Sequence, residues 1–237
     1  MVFNYNYNKF LEILKETKYI HNSLNEILKY NFIYNSNKIE GSNFNIETLK
    51  MLIEKDIVIG GHYLDDIHET INSFHVFDLV IDSLGKSITL DMIKQWHKTL
   101  MYRTSLYDNG LAGVFKKYPN RIIEVDFETT HPLEVEDRLN SLINNYNSLN
   151  EITIEDLLKF HLEFERIHPF QDGNGRIGRF LYLKQLLENK FPLRYMNGEN
   201  AREYKKVLLE SSISNIEPLV NYINKQNDFI EENKNMF

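Results

Sequence analysis

The sequence contains no cysteine, and this absence excludes several kinds of chemistry at once. A chain without thiols cannot form a disulfide framework, a thiolate zinc site, an iron–sulfur cluster or a cysteine nucleophile. Its 5 prolines and 10 glycines in 237 residues are too few for a turn-rich all-β fold. No apolar run approaches the roughly 20 residues that a membrane-spanning helix needs. The first ten residues, MVFNYNYNKF, lack the basic and apolar regions of a signal peptide. These absences predict a cytoplasmic protein without a membrane partner.

Positive charge is also scarce, with 27 Lys and Arg against 34 Asp and Glu and a net charge of −7. A protein whose main task is to grip nucleic acid usually carries a basic surface, so we expect no nucleic-acid partner. A small basic site remains compatible with this balance. The 42% hydrophobic and 26% charged residues are typical of a soluble globular protein and exclude wholesale disorder.

Apolar residues recur at helical spacing along most of the chain, which predicts an all-α fold. One continuous apolar face predicts a first long helix over about residues 10–28. Further helices are expected at 46–53, 62–84, 89–101, 132–146, 153–167, 174–188, 199–209 and 217–232. Residues 110–130 interrupt this pattern with β-branched and aromatic side chains, which predicts a small β-hairpin flap. Residues 231–237 are expected to form a solvated tail.

The most informative segment covers residues 168–179 and reads HPFQDGNGRIGR. Pro169 ends the preceding helix, because the residue before proline avoids helical backbone angles. Gly173 and Gly175 permit positive φ and let a ligand approach backbone N–H groups closely. These N–H groups open onto the N-terminus of the next helix, which attracts anions. The segment is not a Walker A loop, because it lacks Gly-Lys-Ser/Thr after a strand.

Charged side chains in the same segment strengthen this interpretation. Arg176 and Arg179 are three residues apart, so both guanidinium groups lie on one helix face. Two cations beside uncapped amides indicate a polyphosphate site. Asp172 is a suitable oxygen ligand for Mg²⁺, and His168 has the chemistry of a general base near neutral pH.

Each of these residues also has a purely structural explanation. His168 could be a packing histidine, Asp172 a helix cap, and the two arginines a solvated helix face. Their coincidence in one register favours the functional interpretation. His161 lies seven residues before His168 on the same helix face, but no carboxylate support for a metal pair is evident. The pair His68-Glu69 lacks the second histidine of an H-E-x-x-H zinc site.

The segment resembles the full signature of the Fic family, H-x-F-x-(D/E)-G-N-G-R-x-x-R, with every specified position filled. The resemblance covers about residues 36–215 and implies an all-α Fic-type helical bundle with a substrate-docking β-hairpin flap at about 110–130. It implies an N-terminal helical region (1–60), a catalytic core (61–215), and a C-terminal helix and tail (216–237). One departure is Lys116, where the family often has arginine.

By this resemblance the protein is an enzyme that transfers AMP from ATP, with Mg²⁺, to a Ser, Thr or Tyr hydroxyl of a protein, releasing pyrophosphate. The resemblance gives eight motif positions and two adenine-contact positions a role. They are His168 (base), Phe170 (loop anchor), Asp172 (Mg²⁺), Gly173, Asn174 and Gly175 (anion hole), Arg176 and Arg179 (β- and γ-phosphates), and Asn200 and Tyr204 (adenine).

A second segment, SNKIEG at residues 36–41, resembles the family's inhibitory motif (S/T)-x-x-x-E-(G/N). Its fixed positions are Ser36, Glu40 and Gly41. By the resemblance, Glu40 pairs with Arg179 and takes the cation that the γ-phosphate needs, in bidentate Arg–carboxylate geometry. The alternative is an ordinary acidic residue at a helix C-terminus before Gly41.

Two other functions would use the same residues. One is a regulatory module that senses ATP without turning it over, and the other is a hydrolase that removes AMP from a modified protein, with Glu40 orienting water. The target protein is expected to dock on the flap by strand pairing, which reads main chain more than side chains. Its identity, self-modification at one of the 14 tyrosines, and homo-oligomer formation stay open.

Overall fold

The structure is a computed structural model that describes residues 5–122 and 127–237, and it is all-helical apart from one short strand pair. This confirms the predicted fold class. The helices of the described residues are α1 (Tyr7–Glu16), α2 (Leu24–Ile39), α3 (Ile46–Lys55), α4 (Leu64–Asp82), α5 (Leu90–Leu100), α6 (Ser105–Asp108), α7 (Val135–Asn147), α8 (Ile154–Ile167), α9 (Asn174–Glu188), α10 (Ala201–Glu210), α11 (Glu217–Asn224) and α12 (Phe229–Glu232). Short 3₁₀ turns occupy Pro132–Glu134, Gly198–Asn200 and Lys234–Met236. None of the helices in these ranges is long and apolar enough to cross a membrane.

The strand pair lies inside the interval that predicts a hairpin. Strands β1 (Arg121–Ile122) and β2 (Phe127–Glu128) run antiparallel, with Arg121 opposite Glu128. Residues 123–126, which would connect them, lie outside the described residues.

The single first helix expected over residues 10–28 is wrong, because the chain forms α1 and α2 with a break between them. The hydroxyl of Thr17 donates to the carbonyl of Ile13 at 2.7 Å and closes α1. Asn22 then adopts a left-handed backbone, with φ of 55°. Ser23 caps α2 by accepting a hydrogen bond from the N–H three residues later. Local capping therefore divides an apolar face that continues across the break.

The C-terminus differs from expectation for a similar reason. The helix expected over 217–232 is two helices, because Asp228 caps α12 and also accepts the N–H of Leu193 at 2.9 Å. The tail is not simply solvated, since the ring of Phe237 lies 5.6 Å from that of Phe10 on α1. Tertiary packing thus orders a segment whose sequence is polar.

Helix α9 lies at the centre of the fold. Its side chains are buried on nearly every side, which is the environment of a helix enclosed by others. The ring of Phe180 packs 5.2 Å from Phe32 on α2, and Phe32 in turn packs 6.3 Å from Phe77 on α4. Because α9 begins with the glycine-rich segment, the arginines of its first turns lie inside the protein.

The 3₁₀ turn at Gly198–Asn200 packs against the outer side of α2. The N–H of Gly198 donates to Asn35 Oδ1 at 2.8 Å, and the hydroxyl of Tyr34 donates to Glu199. A Cβ on Gly198 would lie 2.5 Å from the Cβ of Lys38 and 2.8 Å from the carbonyl of Asn35. Only glycine allows this close approach of the two backbones.

We expect Gly198→Ala to lower the free energy of unfolding by about 1–3 kcal/mol, because overpacking a tight contact forces backbone shifts. Urea unfolding measures the change. The control is Gly61→Ala, whose added Cβ would meet no heavy atom within 4 Å. Equal stability of the two variants would contradict the proposed packing of the turn on α2.

Candidate functional site

His168 ends α8 in a left-handed conformation, with φ of 50° and ψ of 61°. Its backbone N–H still donates to the carbonyl of Phe164 at 3.0 Å, so the turn is closed while the chain changes direction. The imidazole Nδ1 lies 3.3 Å from the carbonyl of Glu165. A carbonyl can only accept, so Nδ1 carries the proton and Nε2 keeps its lone pair.

The electrostatic surroundings keep this imidazole neutral. Burial lowers the pKa of His168 to about 4, and the nearby positive charge of Lys116 acts in the same direction. The hydrogen bond to Glu165 opposes this shift in part. His168 is therefore unprotonated near neutral pH and able to accept a proton at Nε2.

The loop after His168 is closed by the side chain of Asn174. Asn174 Oδ1 accepts the N–H of Phe170 at 2.7 Å, and its Nδ2 donates to the carbonyl of Phe170 at 2.9 Å. The ring of Phe170 is fully buried, in the position expected of a loop anchor. Because both polar atoms of the Asn174 side chain are used within the loop, its backbone N–H is the group that is left for an anion.

His97 on α5 also holds this loop, a role that its sequence context did not reveal. Its ring stacks on Phe170 with centroids 3.8 Å apart. Nδ1 accepts the N–H of Gly113 at 2.8 Å, so Nε2 carries the proton and donates to the carbonyl of Asp172 at 3.0 Å. Burial lowers the pKa of His97 to about 4, which keeps this tautomer neutral. A lone histidine on the buried face of an amphipathic helix gives no signal of such a contact.

The N-terminus of α9 offers uncapped backbone donors. Gly173 precedes the helix in a left-handed conformation, with φ of 74°, and provides no side-chain cap. The first-turn N–H groups, at Asn174, Gly175 and Arg176, therefore have no partner within the helix. Asp172 is exposed, and its Oδ1 accepts the N–H of Gly173 at 2.5 Å. This arrangement is suited to binding an anion.

Gly175 differs from expectation, because it has ordinary helical angles rather than positive φ. Its lack of a side chain has another purpose. An added Cβ would collide with Oε1 of Glu40 and would lie 3.0 Å from Nη1 of Arg179. The missing side chain therefore makes room for a carboxylate against the first turn of α9.

Arg179 and the 36–41 segment come together, but Arg179 contacts Glu40 through one nitrogen, Nη2, rather than in the expected bidentate geometry, because Nε is taken by Ser36. The Nε of Arg179 donates to Ser36 Oγ at 2.9 Å, and Nη2 donates to the Ser36 carbonyl at 3.0 Å and to Glu40 Oε1 at 2.5 Å. Arg179 is 2% exposed, whereas the Glu40 side chain is 38% exposed. Glu40 is the C-cap of α2, and Gly41 follows it with φ of 89°.

The charge of Glu40 is stabilised by this pairing. Burial acts to raise the pKa of Glu40, but the charges of Arg179 and Arg176 outweigh it and hold the pKa below its ordinary value. An ionised carboxylate thus lies beside the uncapped first turn of α9.

Arg176 has a carboxylate partner of its own, which the sequence did not reveal either. Its Nη1 donates to Oε2 of Glu69 on α4 at 2.5 Å, and both side chains are largely buried. In the sequence, Glu69 stood out only as part of an incomplete zinc motif. The two partners are 107 positions apart in the chain, so no local pattern could identify the pair.

Lys116 connects the flap to the loop. Its Nζ donates to Asn120 Oδ1 at 2.9 Å, to Thr129 Oγ1 at 2.7 Å and to the carbonyl of Ile167 at 3.3 Å. Its backbone N–H donates to the carbonyl of Pro169 at 2.9 Å. Three acceptors match the three N–H bonds of an ammonium group, so lysine is accommodated at this position. Burial lowers the pKa of Lys116 to about 8.

The two residues expected to contact adenine occupy different environments. Tyr204 is 2% exposed, and its hydroxyl lies 2.7 Å from Nε2 of His161. Its ring packs against those of His161 and Tyr222, at 6.2 and 5.9 Å. Asn200 is exposed in the 3₁₀ turn before α10. Adenine contact by these residues stays a prediction.

A buried acid lies beneath the site. Glu165 on α8 is 9% exposed, and its Oε1 has no hydrogen-bond partner within the described ranges. Burial raises the pKa of Glu165 to about 7, although the charge of Arg179 opposes this shift. An added Cβ on Gly178 would lie 2.6 Å from this oxygen, so glycine leaves the space that the carboxyl fills.

Comparison with known proteins finds a family match over a region that includes residues 168–179. Residues 87–186 match the family model described as the Fic/DOC family. The chain is similar to a protein adenylyltransferase fic-1 of Caenorhabditis elegans, with 23% identity over 204 residues that cover 83% of this chain and 39% of that protein. A probable protein adenylyltransferase of Aquifex aeolicus (strain VF5) is 38% identical over 92 residues, covering 35% of this chain and 28% of its own. The chain spans between 39% and 46% of the length of the first three curated relatives.

Solved structures share the fold. A Fic domain containing signaling protein from Bacteroides thetaiotaomicron has a TM-score of 0.77 at 23% identity, covering 95% of this chain and 93% of that one. Fic-1 of Caenorhabditis elegans has a TM-score of 0.74 at 22% identity, covering 98% of this chain and 71% of that chain.

The buried acid makes a prediction about stability. A carboxyl whose pKa is raised in the folded state stabilises it fully below the unfolded pKa, near 4.5, and this contribution is lost as pH rises through about 7. We therefore expect Glu165→Gln to gain stability relative to the parent protein between pH 5 and 8, by about 3 kcal/mol. Urea unfolding of both proteins across this range measures the difference. Parallel curves would contradict the assignment.

Proposed function

Because residues 87–186 of this chain form a domain of the Fic/DOC family, we propose that the protein is an auto-inhibited protein adenylyltransferase. It would move AMP from ATP to a Ser, Thr or Tyr hydroxyl of another protein and release pyrophosphate. The observation that supports auto-inhibition most directly is the 2.5 Å pair of Arg179 and Glu40 beside the uncapped N-terminus of α9.

His168 acts as the general base in this proposal. Its Nδ1–H is held by the Glu165 carbonyl, so Nε2 accepts the proton of the attacking hydroxyl. The low pKa of His168 keeps the base available at neutral pH. Lys116 and Asn174 hold the backbone on either side of it, which fixes the direction from which a hydroxyl approaches.

The phosphates bind where positive charge converges. The first-turn amides of α9 and the side chains of Arg176 and Arg179 stabilise charge that develops on phosphate oxygens, which is the main contribution of protein groups to phosphoryl-transfer chemistry. These groups are preorganised by burial and by the loop contacts of Phe170. They need little rearrangement when the substrate binds, once the Glu40 side chain has left Arg179.

Asp172 is the residue that would hold Mg²⁺. It offers a carboxylate oxygen at an exposed position beside the phosphate-binding amides, a donor that suits a hard cation. Bound Mg²⁺ would neutralise phosphate charge. Asp172 itself contributes through its fixed place, since Oδ1 accepts the Gly173 N–H and His97 holds its carbonyl.

Inhibition follows from competition for one cation. Nη2 of Arg179 donates a hydrogen bond to Glu40. A γ-phosphate therefore cannot bind the same edge of the guanidinium until the Glu40 side chain leaves. Glu40 is at the end of α2 and partly exposed, so its side chain can move without unfolding a helix. ATP that binds in the presence of Glu40 is held out of line for attack.

The target would dock on the flap. The short β1–β2 pair offers strand edges to which an extended segment of the target adds, and Lys116 joins this element to the His168 loop. Docking therefore brings a hydroxyl towards His168.

We expect His168→Ala to reduce AMP incorporation from labelled ATP by roughly 10²- to 10⁴-fold, the usual contribution of a general base. Mass spectrometry of the protein and of candidate targets measures the added AMP. The control is His75→Ala, an exposed histidine of α4. Full transfer by the His168 variant would refute the assignment of the base.

We expect Glu40→Gly and Glu40→Gln to increase transfer by roughly 10- to 100-fold, because both release a charged hydrogen bond of Arg179. Glu47→Gln, at an exposed carboxylate of α3, is the matched control and should leave transfer unchanged. A pre-modified target is incubated in parallel. Loss of AMP in the parent protein but not in the Glu40 variants would favour the reverse reaction. ATP binding without transfer in every variant would favour a sensing module.

The pH dependence tests the state of the base. Since burial lowers the pKa of His168 to about 4, protonation should not limit transfer in the Glu40→Gly variant between pH 5.5 and 7.5. Initial rates should therefore not fall as the pH is lowered from 7.5 to 5.5. A fall in rate centred near the ordinary histidine pKa, about 6.5, would contradict this account.

A further inference from the structure

We propose that Glu69 is a positioning residue for the transfer reaction, which holds Arg176 in the orientation that binds phosphate. The inference rests on the proposed function. It gives Glu69 the opposite effect to Glu40, although both are carboxylates paired with an arginine of the same segment.

The pair of Glu69 and Arg176 is short and enclosed. Oε2 of Glu69 accepts from Nη1 of Arg176 at 2.5 Å, and the two side chains are 13% and 8% exposed. Burial acts to lower the pKa of Arg176, but the surrounding charges of Glu69, Glu40 and Asp172 raise it above its ordinary value. Arg176 therefore remains a cation at this depth.

Glu69 leaves another edge of the guanidinium unused by the protein. The Nε of Arg176 is buried and has no hydrogen-bond partner in the part of the chain that the structure describes. Arginine binds oxyanions in pairs of parallel N–H bonds. A guanidinium anchored at Nη1 and unpaired at Nε can still bind a phosphate oxygen, so the Glu69 contact orients Arg176 without blocking it.

Glu69 lies in the middle of a long helix, whereas Glu40 lies at the end of one. Glu69 lies within the 19-residue helix α4, and its own carbonyl accepts the hydroxyl of Ser73 at 2.8 Å. One turn further, Asn72 donates to the carbonyls of Leu100 and Tyr102 at 2.9 and 2.7 Å. This ties α4 to the end of α5.

The end of α5 is itself part of the site. The Met101 side chain fills the space that a Cβ on Gly173 would need, so the segment fixed by Asn72 supports the glycine-rich loop. Glu69, its helix and the loop therefore form one rigid support for Arg176. Glu40, by contrast, is a helix C-cap whose side chain is 38% exposed.

The experiment uses the Glu40→Gly protein as the parent, so that inhibition does not mask the effect. We expect Glu69→Gln, added to that parent, to lower kcat/KM for ATP by roughly 10- to 100-fold, because a displaced guanidinium no longer meets the phosphate. The KM for ATP should rise and ATP affinity by calorimetry should fall in parallel. Glu69→Asp keeps the charge and should recover part of the loss.

The control is Asp66→Asn, which removes a carboxylate one helical turn before Glu69. Asp66 has no salt bridge to Arg176 among the described residues. This variant should keep the KM of the parent. Thermal unfolding is measured for each protein, so that a loss of folding is recognised.

Three outcomes overturn the proposal. Increased transfer by Glu69→Gln would make Glu69 a second inhibitory group. Unchanged ATP affinity and unchanged kcat/KM would make the pair a structural contact only, as would a loss of thermal stability with an unchanged KM. Failure of the parent itself to transfer AMP would instead count against the proposed function, and calorimetry would still test whether Glu69 supports ATP binding.

Discussion

The ion pair between buried Arg179 and partly exposed Glu40 is the interaction on which the rest of the site depends. A guanidinium that is 2% exposed requires an anionic partner, because an unpaired charge in a protein interior is strongly unfavourable. Glu40 supplies that partner from a helix 139 residues away in the chain, and the contact holds α2 against α9. In the proposed function, a phosphate of ATP would bring negative charge to the same place. Whether Arg179 pairs with Glu40 or with a phosphate would therefore also affect how the core is packed.

The proposed function requires an acidic protein to bind an acidic ligand, and the arrangement of charge is compatible with this. The net charge of −7 is a sum over the whole chain, whereas the candidate site collects two arginines and a helix N-terminus within the interior. Each arginine has its own carboxylate, and the two carboxylates differ in how firmly they are held. Glu69 belongs to the middle of a long helix and Glu40 to the exposed end of another. We infer that Glu69 orients Arg176 for phosphate binding and that Glu40 prevents Arg179 from binding phosphate.

Much of this fold could be predicted from sequence, because local signals determined it. The apolar spacing predicts the helical class, Thr153 caps the start of α8, and the left-handed Gly173 immediately precedes α9. The break between α1 and α2 was missed, since the left-handed Asn22 lies in a break that does not interrupt the apolar pattern. His97 and Glu69 were missed for a different reason. Each acts on a residue 75 to 107 positions away, and only the folded chain brings such partners together.

The central claim is that Glu40 acts by occupying Arg179, and a double-mutant cycle tests it most directly. AMP transfer is measured for the parent protein, Glu40→Gly, Arg179→Ala and the combined variant, and the interaction between the two sites is calculated. If Glu40 acts through Arg179, its removal increases transfer only when Arg179 is present, and it has no effect in the Arg179→Ala background. An equal increase in both backgrounds would show that Glu40 acts elsewhere and would contradict the account.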